Sequence, residues 1–478
     1  MSITAAALLV WRMFQTRPRR TIVLLVGYGL GVAVMVALLA VGDALLVQAQ
    51  DKDIVSGGDV VVLPEGIDPE VLKVGGVAGM FLAIPNARYF VRQVLLGPRF
   101  ADTIVAVSPE MTDKLIYVRT PRGVQAALAR ADLPSRARQA RTVTAIGSPE
   151  WTDTLDDRAW ITPDPAHTLA DYDQFHRPPS GAAGKSWSEW WYFNFAGADG
   201  LYGYLTFAVD QREQALIRVA VRLPSGRLVR WSEGQPASAV PRGGSSFRAG
   251  AQSVVLANGS YHIHLIHGDF LADLQVAPIP GLEFPPVERR VGTFQSGYVA
   301  PSLRADVTGH LQAGAERIAV HGVGYHDHNW GLWEKVTWEW GTASNATYAL
   351  LAGLIYHPSL VGQEMFVSLY GAAPDHPGVL AVLRASVPLL DAWHDVPFGA
   401  GRGLLRVPGR VRYRAINEAD DQLNVEIIVD DVLATPVERV AFLQLRGRYR
   451  LTGTVGGRAI SAEMPGFAET FVPLPLRP

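Results

Sequence analysis

From Trp187 to the C-terminus, the chain consists of short runs in which apolar and polar residues alternate. Gly, Pro, Asn and Ser separate these runs, as they do around YGYLTFAV, YHIHLIHG and LNVEIIVDD. Alternation with a period of two places one face of a strand on a core, and regular turn signals join such strands into antiparallel sheets. No fixed-period repeat is visible, which argues against a propeller or a solenoid. The pattern therefore predicts an all-β architecture.

The predicted β region is longer than one eight-stranded barrel requires. We therefore expect two consecutive antiparallel barrels, over residues 187–335 and 336–478. Apolar residues make up 48% of the 478 residues and charged residues 18%, which indicates a large core. The net charge of −2 provides no electrostatic basis for binding nucleic acid. Cysteine is absent, which excludes disulfides and thiol chemistry.

One N-terminal segment is typical of a membrane anchor. Residues Ile22 to Gly42 carry no charge, and a helix of this length matches a hydrocarbon core of roughly 30 Å. The charges flanking it are Arg12, Arg17, Arg19 and Arg20 before it, and Asp43, Asp51 and Asp53 after it. By the positive-inside rule we expect residues 1–20 in the cytoplasm and one transmembrane helix over 21–47. The barrels would then lie on the periplasmic side of the inner membrane.

A cleaved signal peptide is the competing interpretation of this segment, but the apolar run exceeds a usual h-region of about 7–15 residues. Residues 48–147 are predicted to form a small α/β region. It contains a short strand at Asp59–Pro64 and helical spacing over Pro121–Arg141 that Pro134 interrupts. Residues 148–186 are rich in Pro, Asp and Gly, which predicts a linker.

Two aromatic clusters carry the chemistry of the chain, Trp187–Phe195 and Tyr325–Gly331. Each sets an acid among large aromatic residues, and their residue types favour strands. A carboxyl held against Trp and Tyr is poorly solvated, so its pKa rises and it can hold a proton at neutral pH. This combination suits acid chemistry on an apolar substrate.

Strand parity divides each cluster into two faces. In the first cluster, one face carries Glu189 and Trp191 and the other carries Trp190 and Tyr192. In the second cluster, Tyr325, Asp327 and Asn329 share one face, and His326, His328 and Trp330 share the other. We expect the Tyr–Asp–Asn set to line the lumen of a barrel. The two histidines would then face solvent or a neighbouring element.

Two other interpretations of the clusters remain open. Both could be strand ends stabilised by aromatic cross-strand pairs, with Glu189 or Asp327 accepting backbone or indole hydrogen bonds. The second interpretation is a metal site, because each of two His-x-His pairs can project two imidazoles from one strand face. The pairs are His262 with His264 and His326 with His328. A serine nucleophile elbow, a cysteine and a Walker motif are all absent from the sequence.

The two clusters also carry a family resemblance. The run Glu189–Tyr192 followed by Tyr202–Phe207 resembles the opening of the AttH-like/carotenoid 1,2-hydratase (hydroxyneurosporene synthase) family. Gly324–Gly331 followed by Trp338–Gly341 is similar to the second signature of that family. The resemblance covers roughly residues 180–478. It implies two lipocalin-like β-barrel domains with a hydrophobic ligand pocket between or within them.

The resemblance also implies site residues and an activity. Hydratases of this family add water to an isoprenoid C=C bond, and their Tyr and Asp implicated in catalysis map onto Tyr325 and Asp327. Other members have no assigned reaction and are encoded with ABC exporter components. The remaining motif residues would contact the ligand: Glu189, Trp190, Trp191, Tyr192, His328, Asn329 and Trp330.

The N-terminus carries a separate resemblance. Arg17–Thr21, running into a Gly- and Val-rich span, resembles the first transmembrane segment of MacB/FtsX-type ABC permeases. It implies a membrane anchor and an ABC transporter as partner.

Three functions follow from these features. The leading hypothesis is a membrane-anchored, lipocalin-like protein that binds a hydrophobic lipid or isoprenoid-like ligand beside an ABC export system. The alternative is a cofactor-free hydro-lyase that uses Asp327 as its acid. The third is a non-enzymatic subunit that docks on an ABC permease. None of them calls for a cofactor or a nucleic acid.

Overall fold

The computed structural model describes most of the chain. The described residues are 11–12, 15–16, 18–50, 62, 84–139, 152–161, 165–176, 187–236, 245–292, 294–360, 362–375, 377–398, 403–437 and 439–474. The strand expected at Asp59–Pro64 lies outside them, apart from residue 62. The chain divides into two compact units, Met1–Leu82 with Ser108–Thr152 and Ala83–Val107 with Asp153–Pro478.

The first unit contains helices at Pro18–Gln50 and Pro134–Gln139 and a hairpin of strands β1 (Glu110–Thr120) and β2 (Gly123–Asp132). Within the described residues, no helix is long and apolar enough to cross a membrane. The transmembrane helix predicted over residues 21–47 is therefore not confirmed.

The helical spacing predicted over Pro121–Arg141 is wrong for its first half. Gly123, with φ at 110°, begins strand β2 directly after a tight turn. Ala126 and Ala127 then pair with Tyr117 and Ile116 of β1. The aromatic and β-branched residues of β1 favour a strand, and pairing with them overrides the helix propensity of the alanines.

The second unit contains the first of two large sheets. Its strands are β3 (Trp187–Gly197), β4 (Tyr202–Asp210), β5 (Gln214–Arg222), β6 (Leu228–Pro236), β7 (Phe247–Ala249), β8 (Gln252–Ala257), β9 (Ser260–His267), β10 (Phe270–Pro278), β11 (Phe284–Val291), β12 (Phe294–Ala313) and β13 (Glu316–Leu332). They run in the order β6-β5-β4-β3-β13-β12-β10-β9-β8-β7, and β11 pairs with β12. Side chains bridge the two end strands, since Gln235 Nε2 of β6 donates to the carbonyl of Ala249 in β7 at 2.7 Å.

The second sheet begins after β13. Its strands are β14 (Thr337–Ser344), β15 (Tyr348–Tyr356), β16 (Met365–Gly371), β17 (Gly378–Ala385), β18 (Leu389–Asp391), β21 (Arg410–Ile416), β22 (Gln422–Val437), β23 (Val440–Val455) and β24 (Arg458–Pro473), with β19 (His394–Pro397) and β20 (Leu404–Val407) forming a separate small hairpin. The order is β17-β16-β15-β14-β24-β23-β22-β21-β18, and β17 also pairs with β21. That pairing closes the sheet into a barrel. The prediction of a mainly β fold with two barrel-like sheets is confirmed.

Each sheet encloses its own apolar core. Phe193, Phe207 and Ile217 belong to the first core, and Val367, Leu383 and Leu443 to the second. A third cluster, which includes Tyr192, Tyr325 and Phe467, joins residues of both sheets. The central strands of the first sheet are therefore covered on both faces.

Helical segments that precede β3 add to this unit. Helix Ile84–Leu96 contacts the region of both sheets, because Arg92 pairs with Glu283 at 2.8 Å and Gln93 accepts from the Val379 amide at 2.6 Å. The stretch predicted as a linker over 148–186 contains helices at Leu155–Ile161 and Pro165–Tyr172. The side chain of Asp173, which follows them, is fully buried. Part of that stretch is therefore packed into the second unit, which we call the barrel unit, instead of only connecting two regions.

The close approach of β12 to Trp330 gives a test of this packing. A Cβ at Gly297 would lie 1.9 Å from Trp330 Cε2, and that indole is buried and stacked on His176. We expect Gly297→Ala to lower the free energy of unfolding by about 1–3 kcal/mol through overpacking. Urea unfolding followed by tryptophan fluorescence measures it. Gly234→Ala is the matched control, because its Cβ would meet no atom closer than 3.8 Å. An equal loss of unfolding free energy in both variants would contradict tight packing of Trp330 against Gly297.

Candidate active site

The two aromatic clusters lie side by side, because β3 and β13 pair antiparallel at the centre of the first sheet. Tyr192 is opposite Asp327, and Asn194 is opposite Tyr325. Residues directly opposite in a ladder share a face. The register therefore gathers the Trp190, Tyr192, Tyr325, Asp327 and Asn329 side chains on one face of the pair.

Asp327 is the centre of this face, where the residue is only 4% exposed. The Tyr325 hydroxyl donates to its Oδ2 at 2.9 Å, and Asn329 Nδ2 donates to its Oδ1 at 2.8 Å. Both oxygens of the carboxyl are therefore held by neighbours from the same strand.

A short relay of donors leads to Asp327 from the second sheet. Trp340 Nε1 lies 3.4 Å from the Tyr298 hydroxyl, which lies 2.6 Å from that of Tyr325. An indole can only donate, and Tyr325 donates to Asp327. All hydrogen bonds of the relay form when Tyr298 donates to Tyr325. Each donor then donates in the direction of the Asp327 carboxyl.

Burial controls the protonation of Asp327. Desolvation raises the pKa of its carboxyl well above the usual range, and nearby Glu469 raises it further. The donors Tyr325 and Asn329, and the charge of His328, act in the opposite direction on this pKa but do not outweigh burial. Asp327 therefore retains its proton over a wider pH range than an exposed aspartate. The same donors are in place to stabilise the carboxylate once that proton has left.

Two further carboxyls lie in the second barrel, of which Glu469 is close enough to raise the pKa of Asp327. Burial raises the pKa of both Glu339 and Glu469 to about 7. Thr470 donates to Glu339 at 2.9 Å and Trp338 Nε1 donates to Glu469 at 2.8 Å. Both glutamates line a small cavity of about 20 Å³, with room for a water molecule.

The opposite face of the β3–β13 pair carries a second polar group, which we call the imidazole–carboxylate cluster: Asp173, His176, Glu189, His326 and His328. His328 Nε2 lies 2.6 Å from Glu189 Oε1, and its Nδ1 lies 2.9 Å from Asp173 Oδ1. His326 Nε2 lies 3.2 Å from Asp173 Oδ2. Except for His176, these side chains have no solvent exposure.

Proton positions in this cluster follow from its geometry. Both nitrogens of His328 face carboxylate oxygens, so the imidazolium form is favoured, and these two partners raise the pKa of His328 to about 9 despite burial. His326 Nδ1 must donate to the Tyr192 carbonyl at 2.9 Å, since a carbonyl only accepts. The histidines also lower the pKa of Asp173. The cluster is thus a set of compensating buried charges.

The expected orientation of the second signature is wrong. His326 and His328 point into the first barrel, against Phe193 and Trp191, instead of outward to solvent or a neighbouring element. Tyr325, Asp327 and Asn329 face residues of the second sheet instead of the first lumen. Both faces of this strand are buried, so period-two alternation alone could not tell the lumen side from the other.

The four histidines considered as metal ligands do not come together. His262 and His264 lie on the outer face of β9, where His264 pairs with Asp273 at 2.5 Å, while Ile263 of the same strand enters the core. The ligand-contact residues expected from the resemblance are likewise split: Trp190, Tyr192 and Asn329 flank Asp327, whereas Glu189, Trp191, His328 and Trp330 lie on the opposite face.

Most of the residues that complete the two faces had no signal in the sequence. Tyr298, Trp340 and Glu469 reach Asp327 only through the pairing of β12, β14 and β24. Asp173 and His176 lie in the stretch expected to be a linker. The single available signal was Trp338–Gly341, which formed part of the second family signature and contains both Glu339 and Trp340.

Comparisons with known proteins give structural neighbours only. No family model matches the chain, and no curated protein does. A crystal structure of an AttH-type protein from Nitrosomonas europaea is 17% identical, with 61% of this chain and 96% of that chain covered and a TM-score of 0.41. CghA bound to Sch210972 is 14% identical, with coverages of 64% and 95% and a TM-score of 0.46.

Kievitone hydratase from Nectria haematococca is 13% identical, with coverages of 63% and 92% and a TM-score of 0.42. All three TM-scores are below 0.5. The resemblance of the N-terminal helix to MacB/FtsX-type permeases has no counterpart among these neighbours.

The raised pKa of Asp327 predicts a pH effect on stability. When a carboxyl has a higher pKa in the folded chain, the folded state binds more protons, so stability falls as the pH rises above the unfolded pKa of about 3.9. Asp327→Asn removes this loss. We expect the urea midpoint of the variant, relative to wild type, to increase from mildly acidic to mildly alkaline pH.

An unchanged denaturant slope is the control for this comparison, because it indicates that both proteins expose the same surface on unfolding. A difference in midpoint that stays constant across the pH range would show that Asp327 ionises as readily in the folded as in the unfolded chain.

Proposed function

We propose that the protein is a cofactor-free hydro-lyase that adds water to a carbon–carbon double bond of an apolar, isoprenoid-like substrate. The observation that supports it most is the Asp327 carboxyl, whose pKa burial raises well above the usual range while Tyr325 and Asn329 donate to it. A neutral carboxylic acid among aromatic rings is what protonation of an alkene requires.

The reaction balances on Asp327 alone. The acid transfers its proton to one alkene carbon, and the electron pair of the double bond forms the new C–H bond. The cation left on the neighbouring carbon is attacked by water, which then returns a proton to the Asp327 carboxylate. The Tyr325 and Asn329 donors stabilise that carboxylate while it lasts.

Aromatic rings near Asp327 suit a cationic intermediate. The ring centroid of Trp340 lies 5.2 Å from that of Tyr325 and 5.6 Å from that of Tyr192. A cation over an aromatic face gains about 0.5–2 kcal/mol. This favours a substrate whose protonation gives a tertiary cation, as a branched isoprenoid alkene does.

Access to the acid requires side chains to move, since Asp327 is buried. Trp190, Trp333 and Trp338 form a partly exposed aromatic group beside this face. The Trp190 ring lies 4.4 Å from that of Trp333 and 6.2 Å from that of Trp338. Trp190 and Asp327 are on the same face of the β3–β13 pair. An apolar substrate would thus enter through this group.

The acid role predicts the effect of Asp327→Asn. Product from a panel of isoprenoid alkenes, detected by mass spectrometry as the hydrated species, should fall by about 10²–10⁴-fold. Tyr298→Phe should reduce it by only about tenfold, since it removes one hydrogen bond of the relay. Asp273→Asn is the matched control, because this aspartate pairs with histidines on the outer face of the first sheet. Undiminished hydration by Asp327→Asn would rule out the acid role.

A second candidate function is binding of an apolar ligand without chemistry, in association with an ABC export system. The half-buried Trp190, Trp333 and Trp338 group favours it, since such aromatic surface suits a lipid or isoprenoid-like ligand. Native mass spectrometry distinguishes the two: a carrier retains an unaltered ligand, whereas a hydro-lyase converts it. Docking on an ABC permease without ligand is a third proposal, which rests on the N-terminal resemblance alone.

The location of the barrels is proposed from the sequence alone. Arginines before Ile22 and acids after Gly42 would keep the N-terminus inside and export the barrels. We expect protease added to intact spheroplasts to digest the barrels and leave a short protected N-terminal fragment. An internal cytosolic protein is the control for membrane integrity. Full protection of the barrels would place them in the cytosol.

A further inference from the structure

We propose that His176, Glu189 and His328 form a binding site for a divalent transition-metal ion of the zinc class. Their donor atoms all lie within 4.8 Å of one another. Glu189 Oε1 lies 2.6 Å from His328 Nε2 and 3.0 Å from His176 Nδ1. The three ligands come from the segment before β3, from β3 and from β13, so that an ion would join three separate parts of the chain.

The surroundings orient these donors as a metal site requires. A ligating histidine usually presents its other nitrogen to a carboxylate. His328 Nδ1 lies 2.9 Å from Asp173 Oδ1 while Nε2 faces Glu189, and a small rotation of the ring would direct the Nδ1 proton at that carboxylate. Glu189 is fixed in turn by the His176 backbone amide, which lies 2.8 and 3.0 Å from its two oxygens.

Ring stacking limits the movement of the two imidazoles. His176 is stacked on Trp330 with ring centroids 3.6 Å apart, and His328 on Trp191 with centroids 4.4 Å apart. Preorganised ligands of this kind reduce the entropy lost on binding.

The donor set selects the class of ion. Two imidazoles and one carboxylate suit zinc and neighbouring transition metals, whereas calcium and magnesium prefer oxygen ligands alone. Zinc with bonds of about 2.0–2.1 Å places tetrahedral donors about 3.4 Å apart. Glu189 Oε1 lies 2.6 Å from His328 Nε2 and 3.0 Å from His176 Nδ1, so both separations would lengthen by several tenths of an ångström when the ion enters.

The charges of the site match a dication. Asp173 and Glu189 bring two carboxylates into a region without solvent exposure. An ion bound at His328 Nε2 would displace the proton shared with Glu189, and its charge would replace that of the imidazolium. The ion would lie on the face of β3–β13 opposite Asp327, so its role would be to fix the segment before β3 to the barrel. The proposal is independent of the hydration chemistry.

Titration of the full chain tests this proposal. After dialysis against a chelator, zinc is added in a calorimeter, and cobalt is added separately for its absorption spectrum. We expect one ion per chain, a rise in the midpoint of thermal unfolding and a cobalt spectrum of nitrogen and oxygen ligation. His176→Ala should weaken zinc binding at least about 100-fold, since it removes a ligand and not merely a supporting group.

His264→Ala is the matched control, because it removes an imidazole that pairs with an aspartate on the outer face. It should bind zinc as wild type does. Glu189→Gln tests the central ligand. If that variant fails to fold, His176→Ala still decides the question, because the His176 side chain is partly exposed. The proposal is overturned if wild type binds no zinc, or if binding survives unchanged in His176→Ala.

Discussion

The pairing of β3 with β13 is the interaction on which the rest of the barrel unit depends. In its register, Tyr192 lies opposite Asp327 and Trp191 opposite His328. A slip of one residue in either strand would move every side chain to the other face. If β13 slipped in this way, His328 would face the second sheet without Asp173 and Glu189. Asp327 would enter the first core together with Tyr325 and Asn329, and Tyr325 would lose the Tyr298 hydroxyl. The register is thus specified by polar partners on both sides as well as by packing.

The two faces of this strand pair treat buried charge in opposite ways. On one face, burial would raise the pKa of Asp173, but His326 and His328 lie within hydrogen-bonding distance and lower it. On the other, Asp327 has donors but no adjacent cation, so desolvation raises its pKa. The His328 charge acts through the sheet to lower that pKa, but its effect is smaller than that of burial. The chemistry proposed for Asp327 depends on this separation, since a cation in direct contact would remove its proton.

Period-two alternation predicted which residues share a face, and regular turn signals predicted a mainly β fold with two barrel-like sheets. Alternation did not identify the face of β13 that points into the first barrel, because aromatic and polar side chains are buried on both. Tyr298 and Trp340 could not be predicted as neighbours of Tyr325, since their contacts depend on the register of distant strands. Asp173 could not be predicted as a buried residue, because it lies in a stretch rich in Pro and Asp, and this composition is typical of an exposed linker.

The proposed acid must satisfy two demands that oppose each other. Asp327 keeps its proton only while water is excluded, yet its substrate has to reach it. An apolar substrate meets both conditions, because its hydrocarbon replaces the displaced side chains without solvating the carboxyl. A polar substrate would bring water or hydrogen-bonding groups to the site, lower the pKa of Asp327 and favour the inactive carboxylate. The burial of this one carboxyl therefore links the class of substrate to the chemistry, independently of any likeness to other proteins.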